Sequence, residues 1–119
     1  VAAKHSALVN ACVDYIHARG GMATKIQAGR VRVGGRWVHM SKGGWPDIVA
    51  IWPTRPTTFS TSTATVEFAR QAGRFLGIEV KTGKDTLSPV QRATHEELER
   101  RGALMVVVRD VKDLEAALA

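Results

Sequence analysis

The chain has one cysteine, Cys12, in 119 residues. An internal disulfide is thereby excluded, as is a zinc site built on paired cysteines, and a reducing compartment is the simplest setting. Long apolar runs are also missing: none approaches the roughly 18 residues that a helical membrane span requires. No charged-then-apolar leader opens the sequence, so a soluble cytoplasmic protein is expected, with no membrane partner. No helix-turn-helix or zinc-finger pattern is present, so little base-by-base readout of nucleic acid is expected. Acidic residues are few beside basic ones, 11 against 17, giving a formal net charge of +6 and a pI near 10.1. Such a surplus favours a polyanionic partner, because Lys and Arg bind phosphates largely by releasing condensed counterions. Charge alone does not name that partner.

The residues that are present read as one domain over 1–119, with 45% apolar and 24% charged residues and length enough for a core that needs no staples. In "SALVNACVDYIHARGG", Leu8, Cys12, Tyr15 and Ile16 recur at helical spacing, with Ser6 as N-cap and Gly20 as stop. "KIQAGRVRVGGRWVHM" alternates apolar and basic residues about a Gly34-Gly35 turn, the pattern of a hairpin. "PDIVAIW" predicts a central strand covered on both faces. Residues 53 to 65, rich in Thr, Ser and Pro, predict a mobile surface loop, and "VEFARQAGR" fits either a short helix or a strand paired with the segment after it. "FLGIEVK" is the next strand. Ser88, Pro89 and Gln91 then form a capping-box start for a helix that stops at Gly102. "ALMVVV" is a last core strand, and Asp110 caps a helix with Val111, Leu114 and Leu118 on one face. The order predicts an α/β (α+β) fold with one mixed central sheet flanked by helices.

One strand carries charge where a core is expected. Alternation puts Ile78 and Val80 on one face and Glu79 with Lys81 on the other, about 7 Å apart along the strand. An isolated E-x-K triplet reads most simply as an exposed salt bridge on a solvated face. Asp47, at the mouth of the "DIVAI" strand, changes this: if the two strands are neighbours, Asp47, Glu79 and Lys81 converge. Two carboxylates offer hard oxygen ligands suited to Mg²⁺ or Mn²⁺, and an ammonium beside them suits a water or a phosphate oxygen. These are the parts of a metal-assisted phosphodiester hydrolase.

"GGWPDIVAI", "GIEVK" and "LSPVQ", in that order and followed by a helix and a strand, resemble the PD-(D/E)xK nuclease superfamily and, more closely, its VRR-NUC branch. The resemblance runs from about Lys42 to the C-terminus. It implies a restriction-endonuclease-like core, with Asp47, Glu79 and the main-chain carbonyl of Val80 as ligands of Mg²⁺ (or Mn²⁺). It also implies that Lys81 orients and polarises the attacking water and that Gln91 reaches the site from the helix start, where it equally serves a capping box. The reaction implied is a single in-line hydrolysis that expels the 3′ oxygen and leaves a 5′-phosphate.

One departure stands out. Family members often present a Glu from the first helix; this chain offers His5, Asn10 or Asp14 there, so a one-metal or a two-metal site are both open. Cys12 lies in the apolar pattern of the first helix and reads as a buried structural thiol. The four histidines form no metal-ligand spacing, and only His95, four residues after Gln91 on the same helical face, is placed to approach the site, where a solvated or structural role is the simpler reading.

For DNA, candidate contacts are Lys42, Gly43 and Gly44, where small residues admit a phosphate, Lys84 in the turn after the E-x-K strand, and Arg30, Arg32 and Arg36 on the hairpin. Simple turn geometry for the glycines and a solvated face for the arginines explain the same residues. Small stand-alone members of the branch resemble Holliday-junction and flap nucleases and act as dimers, so a Mg²⁺-dependent, structure-selective DNA endonuclease working as a homodimer on branched DNA is expected, in a phage or mobile-element setting. Two alternatives stay open: an inactive nuclease fold that only binds nucleic acid, and a partner-binding domain whose acid pair is coincidental.

Overall fold

The computed structural model of the protein describes residues 2–26, 30–39, 43–54, 58–60, 65–67 and 73–119. Helix α1 spans Ala2–Ala18 and is followed by strands β1 (Met22–Lys25), β2 (Arg30–Val33), β3 (Arg36–His39), β4 (Ile48–Pro53), β5 (Thr58–Ser60), β6 (Thr65–Glu67) and β7 (Gly73–Val80). Helix α2 (Pro89–Arg100), strand β8 (Leu104–Val108) and helix α3 (Val111–Leu118) complete the order. Four strands form one mixed sheet in the order β1-β4-β7-β8, in which only β7 and β8 run parallel. The expected fold class holds.

The core lies between this sheet and helices α1 and α3. Val9, Cys12 and Ile16 come from α1, Ile48 and Ala50 from β4, Leu76, Ile78 and Val80 from β7, Val106 and Val108 from β8, and Leu114 from α3. Their spacing is every second residue on strands and every third or fourth on helices, so each element turns one stripe inward. Fully burying a side chain such as Ile16, Ile48 or Ile78 stabilises the fold by about 1.5–3 kcal/mol each. Cys12 is completely buried, and that burial pushes its thiol up to about 11. A thiol so held stays protonated, in keeping with a structural part.

Several sequence expectations need correction. α1 begins at Ala2, so Ser6 lies inside the helix and caps nothing; the alanines before it are good helix formers. β1 has no counterpart in the sequence pattern, yet it pairs antiparallel with β4. β4 is covered on one face only: Ile51 is 52% exposed, and its register partner Met22 is 76% exposed. The Thr- and Ser-rich stretch is not all loop, since β5 lies within it and pairs antiparallel with β6, which begins at its last residue, Thr65. Of the ambiguous segment, Val66 and Glu67 are strand and pair backward with β5, Gly73 and Arg74 belong to β7, and residues 68–72 lie outside the described residues. The β2–β3 hairpin forms as expected, with both Gly34 and Gly35 at positive φ, 57° and 79°, as its two-residue turn demands. α2 starts on the expected capping box, and Gly102 lies just past its end at φ 99°.

Candidate active site

The site grows from the way β4 ends against β7. Ile48 pairs with Ile78 and Ala50 with Leu76. Continued toward the start of β4, this register sets Asp47 beside Glu79 and Pro46 beside Val80. Main-chain groups alternate in direction along a strand, and the Lys81 N–H turns to β8, donating to Val108 O at 3.0 Å. Val80 therefore presents its N–H and C=O to the β4 side, where Pro46 has no N–H to donate. Side chains fill the gap. The Val80 N–H donates to Asp47 Oδ2 at 2.8 Å, and the Val80 carbonyl accepts from His5 Nε2 at 3.1 Å. A strand entered through Pro-Asp thus leaves one carbonyl of its neighbour free of the sheet and places a carboxylate next to it.

Glu79 sits on the sheet face beneath α2 and is 1% exposed. It is no solvated strand residue, so the exposed-salt-bridge reading of the E-x-K triplet fails. Burial is the main force on its carboxyl, followed by a hydrogen bond and the negative charge of Asp47; together they outweigh Lys81 and raise its pKa from 4.5 to about 8. Glu79 Oε1 has no hydrogen-bond partner although it is buried. Lys81 donates from Nζ to Gln91 Oε1 at 3.0 Å. The same Gln91 oxygen accepts the Ser88 N–H at 2.9 Å, and the Gln91 N–H donates to Ser88 Oγ at 3.1 Å. One side chain therefore closes the capping box and fixes the lysine. Asp47, Glu79, Lys81 and Gln91 are brought together as the sequence spacing predicts.

A family model described as the VRR-NUC domain matches residues 35–112, most of the chain. The chain belongs to the VRR-NUC family. The fold is similar to that of a solved structure titled "VRR_NUC domain", at 23% identity and a TM-score of 0.59, over 95% of this chain and 91% of that one. No curated protein matches.

Two features of this VRR-NUC site bear on a metal ion. Among the described residues no three His, Cys, Asp or Glu side chains cluster tightly enough to hold one by themselves. The oxygens present nevertheless fit a hard divalent cation: Asp47, the buried and partnerless Glu79 Oε1, and a Val80 carbonyl freed from the sheet. A buried acid with an unpaired oxygen is what a cation would relieve, by replacing the proton that burial retains.

His95, for which a solvated or structural role is the simpler expectation, is not solvated. It is 4% exposed, with Nε2 4.0 Å from Glu79 Oε1 and no hydrogen-bond partner for that nitrogen. Burial lowers its pKa, with Lys81 adding to the effect and Glu99 and Asp47 opposing it. Of the first-helix candidates, only His5 meets the site, 3.5 Å from Asp47 Oδ2 as well as on the Val80 carbonyl. Asn10 Oδ1 instead accepts from Lys25 Nζ at 3.1 Å, and Asp14 is exposed.

The residues expected to touch nucleic acid are more scattered. Lys42 lies outside the described residues, as does the side chain of Arg30. Arg32 and Arg36 are exposed on the hairpin, with the Arg32 guanidinium 5.7 Å from the Trp37 ring. Gly43 is exposed. Gly44 has φ 86°, and a Cβ there would lie 2.8 Å from Val90 O, so close packing on α2 explains this glycine without a phosphate. Lys84 is exposed in a turn that Arg109 holds by donating to the carbonyls of Gly83, at 3.1 Å, and Asp85. Sequence reasoning misses Lys25. It lines a cleft of about 520 Å³ with His5, Thr24 and Asp47, and nothing in its local pattern marks it.

Proposed function

We propose that this VRR-NUC chain is a Mg²⁺-dependent endonuclease of the PD-(D/E)xK type that hydrolyses phosphodiester bonds in branched DNA, such as Holliday junctions or flaps, and acts as a homodimer. The observation that carries the reading is the convergence of Asp47, Glu79, the freed Val80 carbonyl and the Lys81–Gln91 pair at one end of β4 and β7. In an isolated binding module, a buried carboxylate with an unpaired oxygen would be a defect without compensation. In a hydrolase it is a ligand held ready.

Asp47, Glu79 and the Val80 carbonyl would hold the ion, which when bound neutralises charge on a non-bridging phosphate oxygen and sharpens the acidity of a water. Lys81 keeps further N–H donors after Gln91 has taken one, so it orients the attacking water and steadies the phosphate. Water oxygen bonds to phosphorus as the bond to the 3′ oxygen breaks; the products are a 5′-phosphate and a 3′-hydroxyl, and water supplies both the new oxygen and the proton. Lys25 in the cleft and the exposed Arg32, Arg36 and Lys84 supply cations along which a phosphate backbone can run. A four-way junction has two equivalent strands to cut, which two copies of one site serve by symmetry.

Cleavage of labelled four-way junction, flap, single-stranded and duplex DNA in Mg²⁺, Mn²⁺ and EDTA tests the proposal. The expected result is metal-dependent cutting of a branched substrate that Lys81→Ala abolishes. Tight binding with no product in either metal would favour the binding-only alternative.

A further inference from the structure

We infer that His5 supplies a nitrogen ligand to the cation held by Asp47 and Val80, and that this chain therefore prefers Mn²⁺ to Mg²⁺ more strongly than an all-oxygen site would. This rests on the metal reading given above. Adjacent ligands of a six-coordinate ion with bonds of about 2.1 Å lie about 3 Å apart. His5 Nε2 stands 3.1 Å from Val80 O and 3.5 Å from Asp47 Oδ2, which is the spacing of a neighbouring ligand to both.

The ring is well supported for this role. α1 is anchored through Val9 and Cys12 in the core, which fixes the His5 backbone one turn before Val9. The His5 side chain itself is 39% exposed and borders the open cleft shared with Asp47, so the ring can turn Nε2 from the carbonyl to an arriving ion. Imidazole is a softer and uncharged donor. Mg²⁺ favours oxygen and keeps its waters, whereas the later divalent ions gain from nitrogen. The rival role for His5 is a plain hydrogen bond to Val80 O, with no part in holding an ion. His95 is the other imidazole close enough to confuse the assignment.

Mn²⁺ binding to the full chain, followed by titration calorimetry and by pulsed electron paramagnetic resonance for directly bound ¹⁴N, separates these roles. The comparison set is the natural chain, His5→Ala, His5→Gln, His95→Gln and Asp47→Asn. The expected result is a ¹⁴N signal in the natural chain and in His95→Gln that is lost in both His5 variants. Mn²⁺ affinity falls about tenfold or more in His5→Ala, on the scale seen when metal-site partners are removed, while Mg²⁺ affinity changes less. The Gln variant keeps an N–H for the Val80 carbonyl, so a His5→Gln protein that binds Mn²⁺ like the natural chain would overturn the inference in favour of the hydrogen bond. Mn²⁺ bound through Asp47 without a ¹⁴N signal, or with a signal that disappears only in His95→Gln, would also overturn it and leave the metal site standing. No Mn²⁺ binding at all, or binding indifferent to Asp47→Asn, would overturn both the inference and the metal reading beneath it.

Discussion

Replacing Glu79 by Gln should stabilise the metal-free protein, and only at higher pH. The Glu79 carboxyl is 1% exposed and has its pKa raised from 4.5 to about 8, mainly by burial and then by Asp47. A raised folded-state pKa means that the folded protein holds the proton more tightly than the unfolded chain does. Its contribution is complete below pH 4.5 and is lost progressively as pH rises to about 8. A gap of that size corresponds to at most about 5 kcal/mol, at about 1.4 kcal/mol per pH unit. Glutamine has no such titration. In EDTA, the two proteins should unfold with similar stability near pH 5, and Glu79→Gln should be more stable by about 3–5 kcal/mol at about pH 8.5. For a domain of this length that is a difference of roughly 10 °C or more in midpoint. His95, whose pKa burial lowers, lies 4.0 Å from Glu79 Oε1, so the same comparison in a His95→Gln background removes its titration from the difference. Thermal or urea unfolding from about pH 5 to 9 gives the curve. Parallel profiles across the whole range would refute the reasoning, since Glu79 would then be ionised and satisfied without a metal. Added Mn²⁺ should stabilise the natural chain at about pH 8.5 and do little for the variant.

The same geometry sets three more expected outcomes. Gln91→Ala should slow cleavage by releasing Lys81, and should also cost about 1 kcal/mol of stability by opening the capping box with Ser88, as read by paired kinetic and urea measurements. Arg32→Ala with Arg36→Ala should reduce the salt dependence of DNA binding by about one unit of slope for each phosphate no longer neutralised, measured by anisotropy across salt concentrations. An unchanged slope would assign both arginines to an ordinary solvated face. Cys12, fully buried with its pKa pushed to about 11, should resist alkylation by iodoacetamide in the folded chain and react once urea unfolds it, with labelling followed by mass.

Much of the site is legible in the sequence because its parts are local. The Ser88–Pro89–Gln91 start of α2 is written in a few neighbouring positions, and alternation along β7 separates Ile78 and Val80 from Glu79 and Lys81. The convergence with Asp47 requires only that β4 and β7 be neighbours, which two apolar strands usually satisfy in a small sheet. His5 is harder to place, because its partner Val80 is 75 residues away and the contact depends on where β4 starts. His95 carries half a signal: its spacing puts it on the Gln91 face of α2, but only the packing of α2 over Glu79 buries it. β1 is four residues with little apolar patterning, held by its pairing with β4 and not by its own preference. β5 and β6 are hidden by a composition that solvates well, although Thr, Phe and Val also favour strands.

End analysis of cut junction DNA tests the central claim most directly. The natural chain with Mn²⁺ or Mg²⁺ should give strands bearing 5′-phosphate and 3′-hydroxyl ends, and Lys81→Ala should bind the junction as well but yield no cut strands. Intact junction from the natural chain in both metals, or equal cutting by Lys81→Ala, would contradict it.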